Sequence, residues 1–279
     1  MKNNISQILL AGCIWVSLSL FAEAQKSDAS GTPDAAAIVE KSQQAFYAAG
    51  TDMKSDVAME LIAADGRKRT RALTMLRLNI PGGAAQKYFL YFREPSDVRR
   101  MTFLVWKYPE KEDDRWIYIP AVDLVRRVAA SDKRSSFVGS DFTYEDISGR
   151  DISADTHKFL RDEKLNDQDC HVIESTPKET LDYVRRVAWI AKATYLPLKE
   201  EYYDLQNELA RVFTADKIEN VASEGGGGAI PAVLKRTIRN VKSGHRTEVA
   251  FKAISFNVGL TEDIFTERYL RQPPSKWIQ

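Results

Sequence analysis

From residue 55 onward the chain is a succession of short apolar segments separated by turn-forming residues. Segments 55–63, 71–79, 86–92, 102–108, 115–119 and 124–128 have the length and composition of strands, with Ala64-Asp65-Gly66, Pro81-Gly82-Gly83 and residues 110–114 as turns between them. A second series follows at 158–164, 170–175, 183–190, 198–205, 208–214, 233–240 and 247–255. Such regular spacing without long helical stretches predicts an antiparallel sheet curling into a barrel or half-barrel. Ahead of it, Ile38, Val39, Ser42, Ala45, Phe46 and Ala49 recur at helical spacing. Thr32 as cap, Pro33 in the first turn and Gly50 past the end predict one helix over 32–50. A single domain over 33–279 accommodates all of this, with no internal linker.

Several of these strands are apolar on both faces. Side chains alternate along a strand, so Trp116 and Tyr118 point one way while Ile117 and Ile119 point the other. Tyr88, Leu90 and Phe92 likewise oppose Phe89 and Tyr91, and Phe103 and Val105 oppose Leu104 and Trp106. An antiparallel sheet with one wet face would alternate apolar with polar. The second face therefore needs a cover, either the 32–50 helix or a greasy ligand in a cavity.

Composition narrows the chemistry. Of 279 residues, 44% are hydrophobic and 28% charged, and Lys plus Arg (40) balances Asp plus Glu (39), which argues against a nucleic-acid partner. Three scattered histidines suggest no metal site, and nothing calls for a cofactor. No Gly-x-Ser-x-Gly elbow occurs, and Glu224–Gly228 (EGGGG) lacks the Gly-Lys-Ser/Thr ending of a phosphate loop. Ser140 lies beside Asp141, but His157, the nearest histidine in sequence, has no further support as a base, so an enzyme is not expected. Cys170 lies in a strand-like context, where a small buried residue is usual.

The N-terminus carries targeting information. Lys2, an apolar run from Ile5 to Ala22 and the small residues Ala22-Glu23-Ala24 read as a secretory signal over 1–24, followed by a polar spacer over 25–32. Lipid anchoring at Cys13, through Leu10-Ala11-Gly12-Cys13, is the alternative; the apolar run continuing past Cys13 disfavours it. A periplasmic location is expected.

Residues 114–147, DRWIYIPAVDLVRRVAASDKRSSFVGSDFTYEDI, resemble the outer-membrane lipoprotein-sorting family, the LolA-like periplasmic proteins. The matching elements are the Trp-x-Tyr-x-Pro strand end at Trp116–Pro120, the pair Arg126-Arg127 and the Phe-x-Gly-Ser-Asp-Phe-x-x-Glu-Asp loop at Phe137–Asp146. Arg186 with Trp189, YLPLKEEYYD from Tyr195 and FTERYL from Phe265 extend the resemblance over the mature chain. It implies a mainly β fold: a strongly curved antiparallel sheet, an incomplete barrel of about eleven strands with helices covering its concave face.

The function it implies is a carrier that shields the acyl chains of a lipid or lipidated protein and hands them between membrane partners. An inner-membrane lipid exporter and an outer-membrane acceptor would flank it in outer-membrane biogenesis. One chain of roughly sixteen carbons would release ~12 kcal/mol on leaving water. Candidate cavity residues are Phe89, Tyr91, Phe103, Trp106, Trp116, Tyr118, Phe137 and Phe142. Arg126, Arg127, Asp141, Glu145 and Asp146 are candidates either for meeting a lipid head group or for pinning the 137–146 loop. A periplasmic docking or assembly module is the alternative function, and a lipid-ester hydrolase a further one.

Overall fold

The computed structural model describes residues 31–109, 111–224 and 227–278; the proposed signal, Cys13 and most of the spacer lie outside the described residues. Among these described residues, thirteen strands form one antiparallel sheet. Six come before the midpoint: β1 (Asp52–Ile62), β2 (Lys68–Asn79), β3 (Gln86–Glu94), β4 (Thr102–Lys107), β5 (Asp114–Ile119) and β6 (Leu124–Arg127). Seven follow: β7 (Asp155–Leu165), β8 (Gln168–Pro177), β9 (Arg185–Ala191), β10 (Pro197–Tyr203), β11 (Leu209–Ala222), β12 (Ala229–Asn240) and β13 (Arg246–Phe256). Each corresponds to a segment marked by its apolar pattern, so the sheet has thirteen strands where the family resemblance suggested about eleven.

The strand order is β6-β5-β4-β3-β2-β1-β13-β12-β11-β10-β9-β8-β7. Two meanders join where β13 pairs with β1, and the sheet does not close into a barrel. Its two edge strands, β6 and β7, are consecutive in sequence. The chain between them must therefore cross from one edge to the other, and it does so over the concave side, carrying helix α2 (Tyr144–Ser148).

Helix α1 (Ala35–Tyr47) shows how strongly the sheet bends. Its first half packs Ala35, Ile38 and Val39 on Ile173 of β8 and on Ala188 and Ile190 of β9. At its other end Tyr47 O accepts from Arg77 Nη1 (2.8 Å) on β2 and from Gln86 Nε2 (2.9 Å) on β3, and Ala48 O accepts from Asn79 Nδ2 (2.7 Å). A cation such as Arg77 at a helix C-terminus also meets the negative end of the helix dipole. Strands β3 and β8 stand far apart in the sheet order, so one short helix reaches both only because the sheet wraps around it.

The helix is capped by Asp34 and not by Thr32: Asp34 Oδ1 accepts from the N–H groups of Ala36 (3.0 Å) and Ala37 (3.2 Å). With Pro33 ahead of the cap, Asp34 occupies the position whose side chain reaches the free amides of the first turn. Asp34→Ala is expected to cost about 1 kcal/mol in a urea unfolding experiment, without change of fold.

Both faces of strands β2–β5 are covered by protein. On the concave face, Tyr88, Leu90, Phe92, Phe103, Val105 and Ile117 pack against Phe137, Phe142, Tyr144 and Ile147 of the β6–β7 connection. On the convex face, Leu76, Leu78, Phe89, Leu104, Trp116 and Tyr118 pack under the segment after β13, through Leu260, Ile264, Phe265 and Leu270. That segment includes the short helices α3 (Arg268–Arg271) and α4 (Ser275–Ile278). Buried Asp52 fastens its start by accepting the N–H groups of Val258 (2.7 Å), Gly259 (3.0 Å) and Leu260 (3.1 Å).

Candidate functional site in the concave face

Beneath α1, where it faces β9–β12 and α2, lies a cavity of about 50 Å³. At about 10–15 Å³ for each water, it has room for a few water-sized atoms and none for an acyl chain. Its walls are mixed: Val39, Phe46, Phe142, Ile190 and Phe213 beside a group of charged and phenolic side chains.

Those polar side chains come from inward-facing strand positions and from the loop. On β9, Arg186 lies two residues before Ala188, and its Nη1 is 3.3 Å from Glu200 Oε1 on β10. Glu200 also accepts from the hydroxyl of Tyr202 (2.7 Å). On β11, Arg211 lies two residues before the core Phe213, donates to Asp146 Oδ1 (2.9 Å) and stacks on the Tyr202 ring. Arg134 and Arg150, from the β6–β7 connection, grip Glu145 from both sides at 3.3 and 3.1 Å, and Arg150 reaches Asp155 at 2.8 Å. Gly149, at φ +79°, leaves room for Tyr47; a Cβ there would stand 2.9 Å from the ring.

Burial sets the direction of titration for the tyrosines of this group. It pushes the Tyr47 and Tyr202 hydroxyls well above their ordinary value, with Glu200 adding to both, and it raises Tyr183 to about 12. Burial alone would raise Asp146, but Arg211, Arg134 and hydrogen bonds from Arg211 and the Thr143 amide override it and hold the carboxyl at about 2. Asp146 therefore stays ionised, capping α2 by accepting from the Thr143 N–H (2.7 Å) while it pairs with Arg211.

Sequence reasoning chose eight aromatic residues, and the fold divides them. Phe142 lines the cavity, with Phe103 and Phe137 behind it in the concave-side core, their ring centroids 5.2 Å apart. Phe89, Tyr91, Trp106, Trp116 and Tyr118 sit on the convex face under the segment after β13, where Trp106 Nε1 donates to Phe265 O (2.7 Å). Their cover is this chain's own segment, and they face away from the cavity because an odd step along a strand moves a side chain to the other face.

Of the charged candidates, Asp141, Glu145, Asp146 and Arg126 make contacts within or to the 137–146 loop, whereas Arg127 pairs elsewhere. Asp141 Oδ2 accepts from Thr247 Oγ1 (2.7 Å) and lies 2.6 Å from His245 Nδ1, while Glu145 and Asp146 pair with arginines as described. Arg126 meets the Tyr144 hydroxyl, and Arg127 pairs with Asp114 beside the Trp116 ring. Sequence reasoning missed Arg134, Arg150, Arg211, Arg236, Tyr47, Tyr183 and Tyr202. For the two strand arginines the available signal was spacing: Arg211 and Arg236 each lie two residues from a buried apolar neighbour, Phe213 and Ile238, and so share its face.

A strongly curved antiparallel sheet with helices across its concave face is the LolA-like architecture. A family model described only as an uncharacterized protein matches residues 84–272, and the chain belongs to that family. A DUF1329 family protein from Desulfovibrio piger is 28% identical with a TM-score of 0.74, over 84% of this chain and 95% of that one. A putative outer membrane lipoprotein-sorting protein domain from Vibrio parahaemolyticus is 29% identical with a TM-score of 0.77, over 85% and 98% of the two chains. A LolA superfamily protein from Nitrosomonas europaea, 20% identical with a TM-score of 0.65 over 85% and 100%, shares the fold. No curated protein matches.

Proposed function

We propose that this protein is a non-enzymatic periplasmic carrier that shields the acyl chains of a lipid or lipidated protein on its concave face. It would pass them from an inner-membrane exporter to an outer-membrane acceptor. The observation that carries this reading is the placement of α1 across the concave face, packed on the β8–β9 side through Ala35, Ile38 and Val39. Swinging that end away uncovers Ile173, Ala188 and Ile190 and opens the cavity beside them. Phe103 and Phe137 would join the lining if the loop moves with the helix.

The closed cavity is small, and for a carrier that is an advantage. Reclosing α1 restores its own apolar contacts and offsets part of the affinity for a chain, so cargo can be given up. The likeness to a putative lipoprotein-sorting domain supports the reading. Native mass spectrometry of the periplasmically expressed protein, followed by organic extraction, tests it. Discrete adducts that extract as lipid are expected. A ligand-free mass together with no lipid uptake from vesicles would overturn the carrier and favour a docking module.

A further inference from the structure

We propose that Arg236 binds a single monoanionic oxyanion, the carboxylate of a fatty acid or the phosphodiester of a lipid head group, within the concave cavity. This rests on the carrier reading for the acyl chain, though not for the anion itself.

Arg236 differs from its neighbours in having no counter-ion. Arg134, Arg150, Arg186 and Arg211 each have a carboxylate within 3.4 Å. Among the described residues no carboxylate lies within 4.0 Å of Arg236, and its Nε, like those of Arg186 and Arg211, is buried with no hydrogen-bond acceptor. The guanidinium instead stands 5.4, 5.2 and 5.0 Å from the ring centroids of Phe46 on α1, Phe142 on the loop and Phe251 on β13. Aromatic faces attract a cation but do not satisfy its N–H groups. A buried donor left unmade is destabilising, and an oxyanion accepting from the guanidinium fork would remove that cost.

The size and charge of the ligand follow. A cavity of about 50 Å³ accepts an oxyanion group and excludes its chain until α1 opens. One unmatched guanidinium neutralises one negative charge; a second would face Asp146 and Glu200, which line the same cavity. The three phenylalanine rings around the cation would receive the first carbons of the chain. A neutral lipid would leave Arg236 as it is.

Titration calorimetry of the delipidated protein with oleate, lysophosphatidylglycerol and neutral monooleoylglycerol tests the assignment, with wild type and Arg236→Gln compared. Wild type is expected to bind at least one anionic probe about tenfold or more tighter than monooleoylglycerol. The preferred probe identifies the source of the oxyanion. Arg236→Gln should bind all three alike, at the monooleoylglycerol affinity. Equal binding by wild type, or a preference that survives in Arg236→Gln, would overturn the anion site and leave the carrier standing. If no amphiphile binds, yet butyrate or diethyl phosphate raises the melting temperature of wild type and not of Arg236→Gln, the site holds and the carrier falls. If none of the five binds, both fall. Should Arg236→Gln not fold, the wild-type ratio between charged and neutral probes decides the question alone.

Discussion

Asp146→Ala is expected to destabilise the protein by about 3–5 kcal/mol, because it strands a buried guanidinium. Arg211, only 12% exposed, has Asp146 as its ion-pair partner at 2.9 Å, and Arg134 lies 3.9 Å from the same oxygen. The substitution also removes the carboxylate that accepts the Thr143 N–H in the capping box of α2. Urea unfolding at neutral pH measures the loss. The pH dependence gives an independent check. The folded carboxyl is held at about 2, below its ordinary 3.8, so the unfolded chain takes up the proton first as pH falls. The stabilisation is complete above about pH 4 and fades as pH drops toward 2, and the gap between the two values corresponds to about 2 kcal/mol. The stability difference between wild type and Asp146→Asn should therefore narrow over that interval. A difference that does not change with pH would mean that the ion pair contributes nothing.

Phe265→Ala should cost a similar amount, about 3–5 kcal/mol, through loss of packing. The residue is fully buried, and its ring belongs to the cluster of Leu76, Phe89, Leu104, Trp116 and Tyr118 on the convex face. Its carbonyl accepts from Trp106 Nε1 (2.7 Å), while Leu270 O accepts from Thr102 Oγ1 (2.8 Å). Loosening this segment wets Trp106 and Trp116, so the tryptophan emission should shift to the red along with the lower urea midpoint. Val122→Ala, at a site 67% exposed, serves as the control and should change stability by less than about 0.5 kcal/mol. If Phe265→Ala behaves like that control, the segment is not what keeps the convex face dry.

The strands were legible because their signal is local. Alternation in Tyr88–Phe92 and Phe103–Trp106 put each side chain on the face where the structure has it. The helix was legible from its stripe, although its cap was misplaced by two residues: Thr32 and Asp34 are both good caps, and hydrogen-bond geometry chose Asp34. The candidate site was less legible. Trp116 and Tyr118 signalled a covered face correctly, but the cover is this chain's own segment from Leu260 to Leu270, about 140 residues further along. Short apolar groups such as Leu260, Ile264 and Phe265 do not reveal which sheet face they will meet.

By itself, then, the sequence determined the period of each strand, the existence of α1 and the need for two covers, since all of these follow from neighbours within a few residues. Only the tertiary structure decided which face became concave. It also decided that the edge-to-edge crossing after β6 would bring Glu145 and Asp146 to Arg134, Arg150 and Arg211, and that Arg236 would be left without a carboxylate. Ion pairing depends on distances between chain segments that curvature of the sheet alone brings together, and no local pattern encodes them.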